Sequence, residues 1–235
     1  MVAERYDADL AIVNGENAAD GAGITAKLAD KLLAAGADVV TLGNHTYRRS
    51  GIASYLATSE RVIRPANSGS ESPGRGLAVV EARNGVAVAV LNLLGQLFLP
   101  TPVSPWEMVD GLVEEAREAA PVVVVDFHAE ATSEKVALST WLAGRVTAVI
   151  GTHTHVQTND ARILPGGTAA VTDAGMTGPH DSVIGVRSEL AIARMRTRLP
   201  VRFEPAEGDV RMEGVVVTCT DTGRAEAIEL LRVPA

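Results

Sequence analysis

A single cysteine in 235 residues rules out an intrachain disulfide and a thiolate-based zinc site. Cys219 lies in the β-branched run Val215–Thr220 and reads as buried filler. Aromatic residues make up only 3% of the chain, so the core must rest on Val, Leu, Ile and Ala. Basic residues are in deficit: 21 Lys and Arg stand against 29 Asp and Glu, for a formal charge of −8. That balance argues against a duplex nucleic acid partner, because no positive surplus exists to neutralise phosphates. A small phosphorylated substrate stays admissible, since a metal could offset its charge. The longest apolar stretches, Val86–Leu94 and Val122–Val125, are too short for a bilayer, and Met1–Asp7 lacks the apolar segment of a secretory signal. The expectation is a cytoplasmic protein with no membrane partner. No nucleophile elbow is present either: Gly69-Ser-Glu-Ser-Pro-Gly74 misses the required spacing, which sets serine-hydrolase chemistry aside. No repeat or linker divides the chain, and one domain over residues 1–235 is expected.

What is present is a series of apolar runs, each broken at its end. Ala8–Val13 closes on Asn14-Gly15, Ala37–Leu42 on Gly43-Asn44-His45, Val122–Phe127 on His128, and Val146–Ile150 on Gly151. Ile24–Ala35 carries Leu28, Leu32 and Ala35 at helical spacing and stops at Gly36. Ser50–Leu56 reads as a short helix, and Glu107–Ala119 as a helix facing inward through Met108, Leu112 and Val113. Thr132 or Ser133 is expected to cap a helix running to Leu142. Asn84-Gly85 joins Leu77–Ala82 to Val86–Leu93 as a hairpin, and Asp221–Arg224 joins Val210–Thr220 to Glu226–Val233. Thr168–Thr172 reads as a strand, Glu189–Arg198 as a helix, and Asp173–Gly185 as a Gly-rich loop, suited equally to closing over a substrate or to a structural role. Strand–helix–strand units mixed with hairpins predict an α/β protein of stacked mixed sheets with helices outside.

Four strands thus deliver metal-binding groups at their carboxyl ends: Glu16 and Asn17; Asn44 and His45; Asp126 and His128; His153 and His155. In open α/β sheets ligands bind in the crevice beyond those ends. Imidazole with carboxylate and amide oxygen suits iron, manganese, zinc or nickel. On an extended backbone the spacing of His153 and His155 points both rings the same way. Each could then serve one of two cations held about 3.5–4 Å apart.

The segments Gly43-Asn-His45 and Gly151-Thr-His-Thr-His155 resemble the signatures of calcineurin-like binuclear metallophosphoesterases. A closer resemblance is to the bacterial YmdB-like branch, known as 2′,3′-cyclic-nucleotide phosphodiesterases. It is carried by Asn14–Ala19, Gly43–Thr46, Arg64–Asn67, Asp126–Lys135, Gly151–Val156 and Thr172–Pro179, in the family's order and nearly end to end. The resemblance implies an α/β/β/α sandwich of two mixed sheets and two metal ions, iron or manganese ahead of zinc. By it, Glu16 bridges the metals, Asn17 and His155 belong to the first, and Asn44, His128 and His153 to the second. His45 becomes the general acid for attack of a metal-bridging hydroxide on a small cyclic nucleotide, and a homo-oligomer stays open. Arg64, Asn67, Thr177 and His180 are candidate substrate contacts, with a turn or loop role as the alternative.

The family's first strand, ending in Gly-Asp, has no counterpart before Ala8, so the fold is expected to lack that strand and its ligand. This departure motivates a competing reading, a non-catalytic metal-binding regulator acting through a protein partner. A phosphomonoesterase or protein phosphatase of the same superfamily is the third, disfavoured by the Glu16 motif. Asp126 reads either as an orienting partner of a metal-bound His or as a surface Asp at a strand end, and Glu130 and Glu134 as complements to a helix dipole.

Overall fold

The computed structural model describes residues 5–234; the expectation for the chain's start lies partly outside them. Strand β5 (Ala87–Leu94) and strand β6 (Val122–His128) run parallel at the centre of a six-stranded sheet. Its order is β4-β5-β6-β7-β9-β8, with β4 (Leu77–Glu81), β7 (Ala148–Thr152), β8 (Arg162–Leu164) and β9 (Thr168–Val171). The two edge strands, β4 and β8, are antiparallel to their neighbours. Both central strands are near-continuous apolar runs because both faces are covered.

The period of two along a strand sorts those runs. Leu91, Leu93, Val123, Val125 and Phe127 share one core with Val109, Val113 and Ala116 of helix α3 (Pro105–Ala119) and Leu138 of helix α4 (Thr132–Trp141). Val88, Val90, Val122 and Val124 face the other way. There they meet a parallel sheet of β1 (Ile12–Asn14), β2 (Val39–Thr41) and β3 (Val62–Ile63). Helix α1 (Ala26–Ala34) and helix α2 (Ile52–Leu56) cover that small sheet from outside through Ala29, Ile52 and Leu56. A third sheet, β10 (Thr177–Asp181), β11 (Gly208–Cys219) and β12 (Ala225–Pro234), packs on the same face of the large sheet through Val217, Ala225 and Ile228. Helix α5 (Ser188–Thr197) lies between β10 and β11 in sequence. The layers are helix, sheet, sheet, helix, as the α/β/β/α expectation has it, with the second sheet layer made of two separately hydrogen-bonded pieces.

Several local expectations are corrected. The first strand is Ile12–Asn14, shorter than Ala8–Val13. The Gly-rich segment 173–185 contains β10, whose Gly178 and Pro179 pair with Arg211 and Val210 of β11. Pairing imposed from outside overrides turn chemistry, and an edge position tolerates the proline. Helix α4 starts after Ala131 with no side-chain cap from Thr132 or Ser133. The inward face of α3 runs through Val109, Val113 and Ala116, with Met108 and Leu112 only half-buried. Among the described residues no helix is long and apolar enough to cross a membrane.

Candidate metal centre

Because successive strand residues alternate faces, Asp126 and His128 of β6 point with Val124 toward the small parallel sheet, at its carboxyl edge. Asn92 on the same face of β5 donates its amide to the carbonyl of Leu42 at 2.7 Å, tying the two sheets together beneath that edge. Asn14, Thr41 and Gly43 then stand opposite Asp126 and His128. Asn14 Nδ2 and Thr41 Oγ1 both donate to Asp126 Oδ2.

Glu16 occupies the centre and is 1% exposed. Its Oε2 lies 2.8 Å from His128 Nε2, and its Oε1 lies 3.0 Å from His45 Nδ1. The distances are those of hydrogen bonds but the angles are not, and both oxygens stay buried without a hydrogen-bond partner. His128 Nε2 is also 3.1 Å from Asn44 Oδ1 and 3.1 Å from His153 Nδ1. One nitrogen cannot satisfy three such neighbours, and nitrogen and oxygen atoms gathered this closely form a set able to hold a cation. Donor atoms of Glu16, His128 and His153 all lie within 4.8 Å of one another.

Proton bookkeeping supports the same reading. Thr152 Oγ1 donates to Asp126 Oδ1 at 2.7 Å, so toward His128 Nδ1, 3.0 Å away, it can only accept. His128 therefore carries its proton on Nδ1 and turns the Nε2 lone pair inward. His153 Nε2 lies 2.9 Å from Glu130 Oε2, which leaves Nδ1 as the inward lone pair. His155 Nδ1 faces the carbonyl of Ile184 at 3.3 Å, and its Nε2 is 3.0 Å from Asn17 Nδ2. Asn17 Oδ1 is in turn 3.0 Å from His45 Nδ1. Glu16 thus opens one oxygen on Asn44, His128 and His153, and the other on the side of Asn17, His45 and His155.

Burial pulls the Glu16 carboxyl upward, but the facing imidazoles of His128 and His45 outweigh it and hold it down at about 2. It is ionised across the physiological range. Burial, helped by nearby His128, pushes His153 below the usual imidazole range, favouring the neutral ligand form. Burial pushes the Asp126 carboxyl up, against the pull of His128, Thr152, Thr41 and Asn14.

Gly43 shows how tight the packing is. A Cβ there would stand 1.6 Å from Glu16 Oε2 and 2.4 Å from His128 Nε2. His153 and His155 do not lie on extended backbone as the spacing suggested. Both have positive φ, +95° and +64°, beyond the end of β7. Their rings reach the centre through a twisted turn, which needs support that periodicity cannot reveal. Asp173 supplies it: Oδ2 accepts from the Thr154 amide at 3.0 Å and from its hydroxyl at 2.6 Å, and pairs with buried Lys135 Nζ at 3.1 Å.

Lys135 and Asp173 were missed as functional residues; both sit inside family-like segments, but nothing local marks them as partners. Glu134 stands in the first turn of α4, where it complements the helix dipole; it is also buried, and its carboxylate accepts from the Gln96 and Leu97 amides at 2.9 and 3.2 Å. Glu130 is a partner of His153. Arg64 and Asn67 are buried loop braces, with no contact to the centre. Arg64 donates to the carbonyls of Pro65, Ala66, Gly69 and Ser72, and Asn67 to those of Leu94 and Val103. His180 faces Glu213 of β11 at 3.3 Å, while Thr177 is exposed.

The model of the YmdB-like protein family matches residues 1–231. A 2′,3′-cyclic-nucleotide 2′-phosphodiesterase of Bacillus subtilis is 47% identical over 230 residues, covering 97% of this chain and 87% of that protein. A putative phosphatase/phosphodiesterase of Mycoplasma genitalium is 34% identical over 241 residues, covering 99% and 85%. Among solved structures, a hypothetical protein from Thermus thermophilus matches with TM-score 0.91 and 41% identity, over 99% of this chain and 90% of that one. A novel phosphatase of Mycoplasma pneumoniae matches with TM-score 0.90 and 33% identity, over 99% and 85%.

Proposed function

We propose a function from a plain premise: this chain belongs to the YmdB-like protein family. It is a phosphoric diester hydrolase acting on small cyclic nucleotides, the activity its Bacillus relative is named for, and it works with two metal ions. The observation that carries the two-metal reading is Glu16, a buried, ionised carboxylate with no hydrogen-bond partner and an oxygen turned toward each of two ligand groups. Asn44, His128 and His153 would hold one cation and Asn17 and His155 the other, with Glu16 shared. The donor set of nitrogen and oxygen, without sulfur, favours iron or manganese and also admits zinc. Bound there, the cations would acidify a water to near neutrality and withdraw charge from the phosphoryl oxygens.

The chain's own residues do the rest. His45 touches Glu16 and Asn17 only through Nδ1, and its side chain is 26% exposed, which leaves Nε2 to face a substrate. From there His45 is placed to give a proton to the ribose oxygen as it leaves. Thr152 and Asp126 hold His128 in the tautomer that offers Nε2, and Glu130 does the same for His153 Nδ1.

Metal-stripped protein should not hydrolyse 2′,3′-cyclic AMP, and manganese or ferrous iron should restore turnover as two equivalents bind. Full turnover after stripping, or saturation at one equivalent, would refute the two-metal reading. His45→Ala should lower kcat by about 10²–10⁴-fold with metal content unchanged. An unaltered kcat would remove His45 from the chemistry.

A further inference from the structure

The turn that touches His155 carries a residue that suits neither the turn nor the core. Val183 and Val186 exchange both backbone hydrogen bonds, at 2.9 and 3.0 Å, around Ile184 and Gly185. Both central residues have positive φ, +45° and +97°. Such a primed two-residue turn favours Asn or Asp before the glycine, because a β-branched side chain is strained there. Ile184 is also 51% exposed, so burial does not offset the strain. The contact that Ile184 makes to the centre through its carbonyl, facing His155 Nδ1 at 3.3 Å, is a backbone contact that asparagine would preserve. Strain of this kind persists where function requires it. What the isoleucine side chain adds is an exposed aliphatic surface on the turn that meets His155.

We propose that Ile184 is a specificity-determining residue. Its side chain forms an apolar wall against the nucleoside part of the substrate while the phosphodiester sits at the ligand cluster. The inference rests on the cyclic-nucleotide reading above. An aliphatic wall packs on the face of any base, so it selects for a nucleoside without selecting among bases.

The test is Ile184→Asn in the metal-loaded full chain, with Ile184→Val as the conservative partner. Asparagine should raise the melting temperature by relieving the turn, keep the metal content, and leave kcat on 2′,3′-cyclic AMP within about twofold. KM for that substrate should rise about tenfold, equivalent to ~1.4 kcal/mol. KM for ethylene phosphate, a cyclic diester with no nucleoside, should not change, and valine should stay near wild type on both substrates. An unchanged KM for the nucleotide overturns the proposal, as does an equal rise for both substrates. Loss of metal in the asparagine variant would make Ile184 only a brace for His155 and overturn it too. If the wild-type protein leaves 2′,3′-cyclic AMP intact, the functional reading fails and takes the wall with it. If wild type and Ile184→Asn turn it over alike, the wall alone fails.

Discussion

Gly43→Ala is expected to yield a folded protein that cannot hold its metals. The backbone at Gly43 is not left-handed, so alanine meets no conformational penalty there. The obstacle is space: the new methyl would occupy the position of Glu16 Oε2 and crowd His128 Nε2. Neither group can retreat. Glu16 is buried beneath the two sheets, and His128 is pinned by the Thr152–Asp126 relay. Losing an outer-shell partner typically weakens metal binding about 10–100-fold, and displacing the shared carboxylate should exceed that. Metal analysis should show both equivalents depleted, and hydrolysis should fall with them, while far-UV circular dichroism stays that of the wild type. Gly21→Ala is the matched control. It has open space around the added carbon and φ of +81°, so it strains only its own turn and should keep its metals. Full metal content in Gly43→Ala would mean that Glu16 does not sit where the coordination argument needs it.

The ligand strands were legible because they advertise themselves locally. Apolar runs that end abruptly in Asn-Gly-Glu-Asn, Gly-Asn-His or Asp-Phe-His place strand, edge and donor within a few residues. Alternation along β6 then puts Asp126 and His128 on one face without further information. The same local logic misread His153 and His155, because it assumes the strand continues through them. The chain bends instead, and the bend is held by Asp173, well downstream beyond β9, and by Lys135 on another element. Strand β10 failed for a related reason: its sequence, Thr-Gly-Pro-His-Asp, acquires strand geometry only from β11. By residue type Arg64 and Asn67 suit a phosphate or base contact and a turn role equally well. Burial against backbone carbonyls, which residue type does not encode, assigns them to the loop.

The second large effect concerns that buried pair. Lys135 and Asp173 are 3% and 1% exposed, and removing one partner from such a pair leaves an uncompensated charge, at a cost of about 3–5 kcal/mol. Lys135→Met should therefore lower the denaturant midpoint substantially. The double variant Lys135→Met, Asp173→Asn buries no charge and should recover most of that loss. Metal affinity should not recover with it. Asp173 as a carboxylate fixes Thr154 through both amide and hydroxyl, Lys135 Nζ donates to the same hydroxyl at 2.9 Å, and Thr154 sits between two histidines in left-handed conformations. A neutral amide accepts those protons more weakly, since charge-assisted hydrogen bonds are roughly twice as strong as neutral ones. Folding stability and metal affinity should thus separate: stability restored in the double variant, affinity still at least about tenfold below wild type. Should affinity return in step with stability, the pair serves the fold alone, and the aim of His153 and His155 must be set elsewhere.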